Sequence, residues 1–138
     1  MASPVRVFLD SDVVISSLIS HKGASYMLIN TAYVEKVVSS ISVAEITIVV
    51  KRLKLSIEKF RKLLKDFLQV INLTSHEDFS DFVLDPHDAH VVAGAKQSEA
   101  KFLVSYNIKH YKVDAIKGKL GIRVVRPSEF VQYLRLKN

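Results

Sequence analysis

Val5-Arg6-Val7-Phe8-Leu9-Asp10 is the stretch that decides the fold. Apolar and β-branched around Arg6, it fits a strand buried on both faces of a parallel sheet. Asp10 then ends the run with a carboxylate. A charge directly behind a buried strand needs a partner, and nothing in the local sequence offers one. Working outward, further strands are expected over residues 37–41, 70–73, 102–105 and 122–125. Helices are expected over 23–33, 42–54, 56–68, 86–98 and 127–136, with another directly after the first strand. Ser or Asp stands at or before several of these starts, and Pro86 and Pro127 occupy first helical positions. Strand and helix alternate throughout, so the expected fold class is α/β: a three-layer α/β/α sandwich around a mostly parallel sheet of roughly five strands.

The 138 residues, 49% hydrophobic, suit a single domain spanning 1–138. No repeat, low-complexity tract or linker interrupts them. With no cysteine, disulfides and thiolate metal sites are excluded. The N-terminus lacks the apolar core of a signal peptide, and no run approaches the roughly 18 apolar residues of a membrane span. A soluble, cytoplasmic protein with no membrane association is therefore expected. The formal charge of +6 favours an anionic partner such as nucleic acid. Lys51, Arg52, Lys54, Lys59, Arg61, Lys62 and Lys65 form one basic stretch, and a second runs from Lys109 to Lys137. Between them lie Glu77, Asp78, Asp81, Asp85 and Asp88, an acidic segment in a basic protein. In the helix at 56–68, Ile57, Phe60, Leu64 and Phe67 share one face, and most of the basic residues fall elsewhere around it.

In open parallel sheets ligands collect beyond the carboxyl ends of the strands, near a topological switch point. The residues expected there are Asp10 and Asp12 after the first strand, Glu45 after the second, Asp85 and Asp88 at a helix start, and Asn107 after the fourth. Carboxylates gathered in one place repel unless a cation neutralises them, and oxygen donors select a hard divalent ion, Mg²⁺ or Mn²⁺. Local roles compete with this. Ser42-Val43-Ala44-Glu45 matches a capping box, and Asp85-Pro86-His87-Asp88 reads as a helix cap, a first-turn proline and an acid favoured by the helix dipole. Asp12 fits a cap of the first helix, and Asn107 fits a turn.

In order along the chain, these residues resemble the motifs of PIN-domain nucleases. Val7-Phe8-Leu9-Asp10-Ser11-Asp12-Val13-Val14-Ile15-Ser16 is similar to the family's apolar strand followed by D-S/T-N-V. The interval Ser40 to Glu45 resembles the second motif, Asp85-Pro86-His87-Asp88 the D-P-x-D of one branch, and Leu103-Val104-Ser105-Tyr106-Asn107 the apolar-T-G-D segment. The resemblance implies a Mg²⁺- or Mn²⁺-dependent ribonuclease, in which water attacks phosphorus in line and leaves 5′-phosphate and 3′-hydroxyl ends. It implies Asp10 and Asp88 as direct ligands, Glu45 as a ligand or an orienter of bound water, and Asn107 or Asp85 completing the shell. In a small chain it further resembles VapC-type toxins, which implies an antitoxin partner and a homodimer. Two positions depart from the pattern: Asp12 stands where asparagine is usual, and Asn107 where a fourth aspartate is usual. The second departure sets an alternative, a PIN fold weakened in catalysis that binds RNA or protein.

Other chemistries find less support. His87 and His90 lie near the acidic residues, but no third imidazole has metal-ligand spacing, and His90 is expected to project away from Asp88. His21, His76 and His110 read as surface or packing residues. No G-x-S-x-G or glycine-rich phosphate loop is present. Tyr106 and Tyr111 are the candidates for stacking on unpaired bases, with Tyr111 fitting better as a packed aromatic. A receiver-like signalling domain would need an aspartate after the third strand, where Asn72 and Thr74 stand instead.

Overall fold

The computed structural model describes residues 4–137. Five strands, β1 (Val5–Leu9), β2 (Val34–Ser39), β3 (Gln69–Ile71), β4 (Phe102–Val104) and β5 (Arg123–Val125), form one sheet in the order β3-β2-β1-β4-β5. Every pairing is parallel. The α-helices are α1 (Ser11–Ile19), α2 (Ala24–Asn30), α3 (Ser40–Arg52), α4 (Ile57–Phe67), α5 (Ala89–Gln97), α6 (Val113–Leu120) and α7 (Pro127–Lys137). The expected α/β/α sandwich is what the chain builds.

Alternation along β1 makes the layers. Val7 and Leu9 point to one face and join Val13, Val14, Leu28, Ile29, Ile46, Val50, Phe60 and Phe130 from the helices covering it. Phe8 points to the other, among Val91, Val92, Ala95, Ile116 and Tyr111. Both faces are dry, so the central strand reads as an unbroken apolar run. On the second face α5 lies unusually close to the sheet: a Cβ on Gly94 would stand 2.4 and 2.5 Å from atoms of the Phe8 ring. Only glycine permits that approach.

The chain leaves β1, builds β2 and β3 outward on one side, then crosses to β4 and β5 on the other. The direction reverses between β1 and β4, which makes that edge the switch point. The two strand ends are tied there, since the Asp10 N–H donates to the Val104 carbonyl at 2.9 Å.

Several boundaries differ from the sequence reading. β2 begins at Val34 rather than 37 and ends at Ser39, whose hydroxyl accepts from the Ser42 N–H and starts α3 at Ser40. Ser40 and Ile41, expected in the strand, are helical. Residues 86–98 split into a 3₁₀ turn (Pro86–Asp88) and α5. The segment 113–120, not expected as an element, is α6, closed by Gly121 in the left-handed conformation at φ 70°.

Candidate metal centre

Asp10 is both the end of β1 and the N-cap of α1. Its Oδ1 accepts the Ser11 N–H at 2.8 Å, a local role the sequence reading had assigned instead to Asp12. Its Oδ2 accepts from two hydroxyls, Ser105 at 2.9 Å and Tyr111 at 2.5 Å. Burial, with the adjoining Asp10 charge, pushes the Tyr111 phenol far above its ordinary range, so it remains a donor.

Asp12 lies in the first turn of α1 and faces the loop after β4. Its Oδ2 collects three donors: the Asn107 Nδ2 at 2.9 Å, the Tyr106 N–H at 3.1 Å and the Ser105 hydroxyl at 3.3 Å. Its Oδ1 is buried with no partner. Burial first, and then repulsion from Asp10, raise its carboxyl from 3.8 to about 6. Ser105 carries only one proton, so it donates to Asp10 or to Asp12 but not to both.

Asp88 closes the Pro86–Asp88 turn and directly precedes α5. Partial burial and then the Asp10 charge raise its carboxyl as well. His110 stands beside it, with Nδ1 3.6 Å from Oδ2, so this histidine borders the site rather than serving as a remote surface residue. Glu45, on α3, does not close a capping box. Ser39 caps that helix, and the Glu45 Oε1 lies 3.1 Å from the His90 Nε2. The His90 Nδ1 is buried without a partner. A neutral imidazole has one N–H, so a ring that donates to Glu45 leaves Nδ1 as an unfilled acceptor.

Asp85 is exposed, and its carboxylate accepts from both the backbone N–H and the Nδ1 of His87 at 3.0 Å. Those bonds hold it below the usual carboxylate range and raise the histidine. It is the helix cap that the sequence suggested. The hydroxyl of Tyr106 bonds Ser25 at 2.6 Å and accepts from Ser16 at 3.3 Å, which fastens the loop after β4 to α2 and α1.

The structure thus brings Asp10, Asp12, Asn107, Ser105 and Tyr111 into one hydrogen-bonded cluster, with Asp88 within electrostatic reach and Glu45 held by His90. Among the described residues, no three of His, Asp and Glu stand together as a ready metal-ligating group. The donor chemistry nonetheless fits a hard divalent cation. All the acidic groups offer oxygen, two carboxyls are raised in part by their neighbour's charge, and one buried carboxylate oxygen has nothing to bind. Sequence reasoning had passed over Tyr111 and His110 as site residues. Their one signal was position, four and three residues beyond Asn107 on the same sheet edge.

Fold and site together define a parallel α/β domain that gathers carboxylates at the carboxyl ends of β1 and β4. Residues 6–109, most of the chain, match the PIN domain model, and the chain belongs to the PIN domain family. Members of that family are generally nucleases and typically use a divalent metal. Among solved structures, the chain is similar to one in the VapBC2 complex from Rickettsia felis bound to a DNA fragment from its promoter. Identity is 17%, 88% of this chain and 98% of that one are covered, and the TM-score is 0.60. It is also similar to a chain of a toxin-antitoxin complex from Klebsiella pneumoniae, at 19% identity, 88% and 97% coverage and a TM-score of 0.63. The search of curated proteins finds no match. Among the described residues no helix is long and apolar enough to cross a membrane.

Proposed function

We propose that this chain is a divalent-metal-dependent ribonuclease, acting as the toxin of a toxin-antitoxin pair. One observation carries the reading: in a PIN fold, the switch point holds more carboxylate than its hydrogen-bond donors satisfy, with Asp12 left with an orphaned oxygen and Asp12 and Asp88 both raised. Asp10, Glu45 and Asp88 would hold Mg²⁺ or Mn²⁺, with Asn107 bordering them. Asp85 would serve only by releasing His87. Such an ion supplies charge neutralisation at the phosphate and a more acidic attacking water.

The chain's own residues prepare the site. Tyr111 and Ser105 orient the Asp10 carboxylate. His90 orients Glu45, and Asn107 holds Asp12. Lys109 and Lys112, exposed directly after Asn107, are placed to neutralise backbone phosphates at the sheet edge. The toxin role and an antitoxin partner are supported by the two structural neighbours, both toxin-antitoxin complexes; a homodimer and a cytoplasmic setting are part of the same proposal. The test is cleavage of single-stranded RNA with Mg²⁺ or Mn²⁺. Turnover by the wild type, lost in Asp10→Asn and Asp88→Asn, is expected; cleavage that survives Asp10→Asn overturns the reading.

Asn107 favours a second reading, a module that binds RNA or protein without cleaving it. Robust metal-dependent turnover abolished by Asp88→Asn eliminates that one.

A further inference from the structure

We infer that Asp12, not Asn107, is the fourth carboxylate of the site, and that Asn107 is the positioning residue that aims it. The inference rests on the metal-dependent reading above and identifies which residue completes it. Asn107 gives its amide N–H to Asp12 Oδ2 at 2.9 Å, and the Tyr106 N–H donates to the same oxygen at 3.1 Å. A carboxylate pinned through one oxygen by donors from the loop after β4 cannot turn that oxygen elsewhere. The other oxygen, Oδ1, is fixed as a consequence, and it is buried without a donor.

The two departures from the family pattern are therefore one. Position 12 carries the acid and position 107 the amide, and they meet across a single hydrogen bond. An amide at 12 and an acid at 107 would make the same bond in the opposite sense, with the same total charge. Either change alone breaks the balance. Asp12→Asn can keep the bond through its amide oxygen but removes one negative charge, whereas Asn107→Asp sets two carboxylates in contact where only one has donors.

The experiment is calorimetric titration of the whole protein with Mn²⁺ alone, with melting temperature in chelator and in saturating Mn²⁺ as a second readout. Wild type, Asp12→Asn, Asn107→Asp and the double exchange are compared. Asp12→Asn should lower Mn²⁺ affinity about tenfold or more and shrink the Mn²⁺-induced melting shift. The double exchange, which restores both the bond and the charge, should return affinity to within about threefold of wild type; a merely structural role for the pair would instead lower the melting temperature of Asp12→Asn in chelator along with its Mn²⁺ affinity. Wild-type affinity in Asp12→Asn, or a double exchange no better than Asp12→Asn, overturns the assignment while leaving the metal reading in place. A wild type that takes up no Mn²⁺ sinks both. Because Asp12→Asn removes a buried charge, it is expected to fold. If it does not, the double exchange decides alone: wild-type affinity supports the assignment, and loss of binding overturns it.

Discussion

Removing the Asp12 charge should change how stability depends on pH, and the sign follows from the direction of its shift. The carboxyl is raised in the folded protein to about 6 from 3.8, by burial first and by Asp10 second. The folded state therefore holds this proton more tightly than the unfolded chain does. Its contribution to stability is fully present below about pH 4 and is lost as pH rises through about 6. A gap of about two pH units corresponds to roughly 3 kcal/mol, an upper figure because the group keeps some solvent. Asparagine at position 12 cannot titrate. In chelator, urea denaturation from pH 4 to pH 8 should show wild type losing stability relative to Asp12→Asn across this range, by up to about 3 kcal/mol. Any constant offset from altered hydrogen bonds cancels, since only the slope of the difference matters. Asp88 shifts in the same direction but is present in both proteins. A wild-type-minus-variant difference that stays flat with pH would refute the reasoning, because it would mean that neither burial nor the Asp10 charge raises this carboxyl.

Other expectations concern packing, orientation and binding. Gly94→Ala should destabilise by about 1–3 kcal/mol in urea, overpacking against Phe8 outweighing the roughly 1 kcal/mol gain in helix propensity, while Gly118→Ala, with nothing within 4 Å, should gain about 0.5–1 kcal/mol. Equal effects would show that α5 does not press on β1. Tyr111→Phe keeps the ring but removes the hydroxyl from Asp10, and should cost about 2 kcal/mol of stability at neutral pH. No loss there would mean that water replaces it freely. For RNA, Lys109→Ala should weaken binding similarly across sequences and reduce the slope of log affinity against log salt by about 0.7, as one lost phosphate contact does on a single strand. An unchanged slope places the nucleic-acid path elsewhere.

The apolar run at Val5–Leu9 was legible because both faces of β1 are covered, and the same condition made Phe102–Val104 legible. β2 was read three residues late because Glu35 and Lys36 interrupt its pattern. Both charges are satisfied by neighbours that no local rule displays. Glu35 pairs with Arg6 on the adjacent strand at 2.7 Å, and the buried Lys36 amine donates to the Ile29 and Thr31 carbonyls at the end of α2. At the site, Asp10, Asp12 and Asn107 were foreseen at one edge, and the strand order β3-β2-β1-β4-β5 explains why they meet. Glu45 was foreseen in the sequence but not its partner, because His90 lies on α5 and reaches α3 only through tertiary packing. Tyr111 had the pattern of a core aromatic and is one, with its ring buried and only its hydroxyl turned to Asp10. A residue that serves the core and the site at once has no separate signature in sequence.

The close approach of Gly94 to Phe8 also acts as a gauge. Phe8 lies two residues before Asp10 on β1, and Gly94 lies on the helix that Asp88 leads into. The distance between these two carboxylates is thus referred to a single contact in the hydrophobic interior, where a hydrogen atom stands in place of a methyl group. Widening that contact by the thickness of a methyl would raise α5 from the sheet and carry Asp88 with it. The spacing of the two carboxylates is referred, from beneath, to a residue with no side chain and no charge.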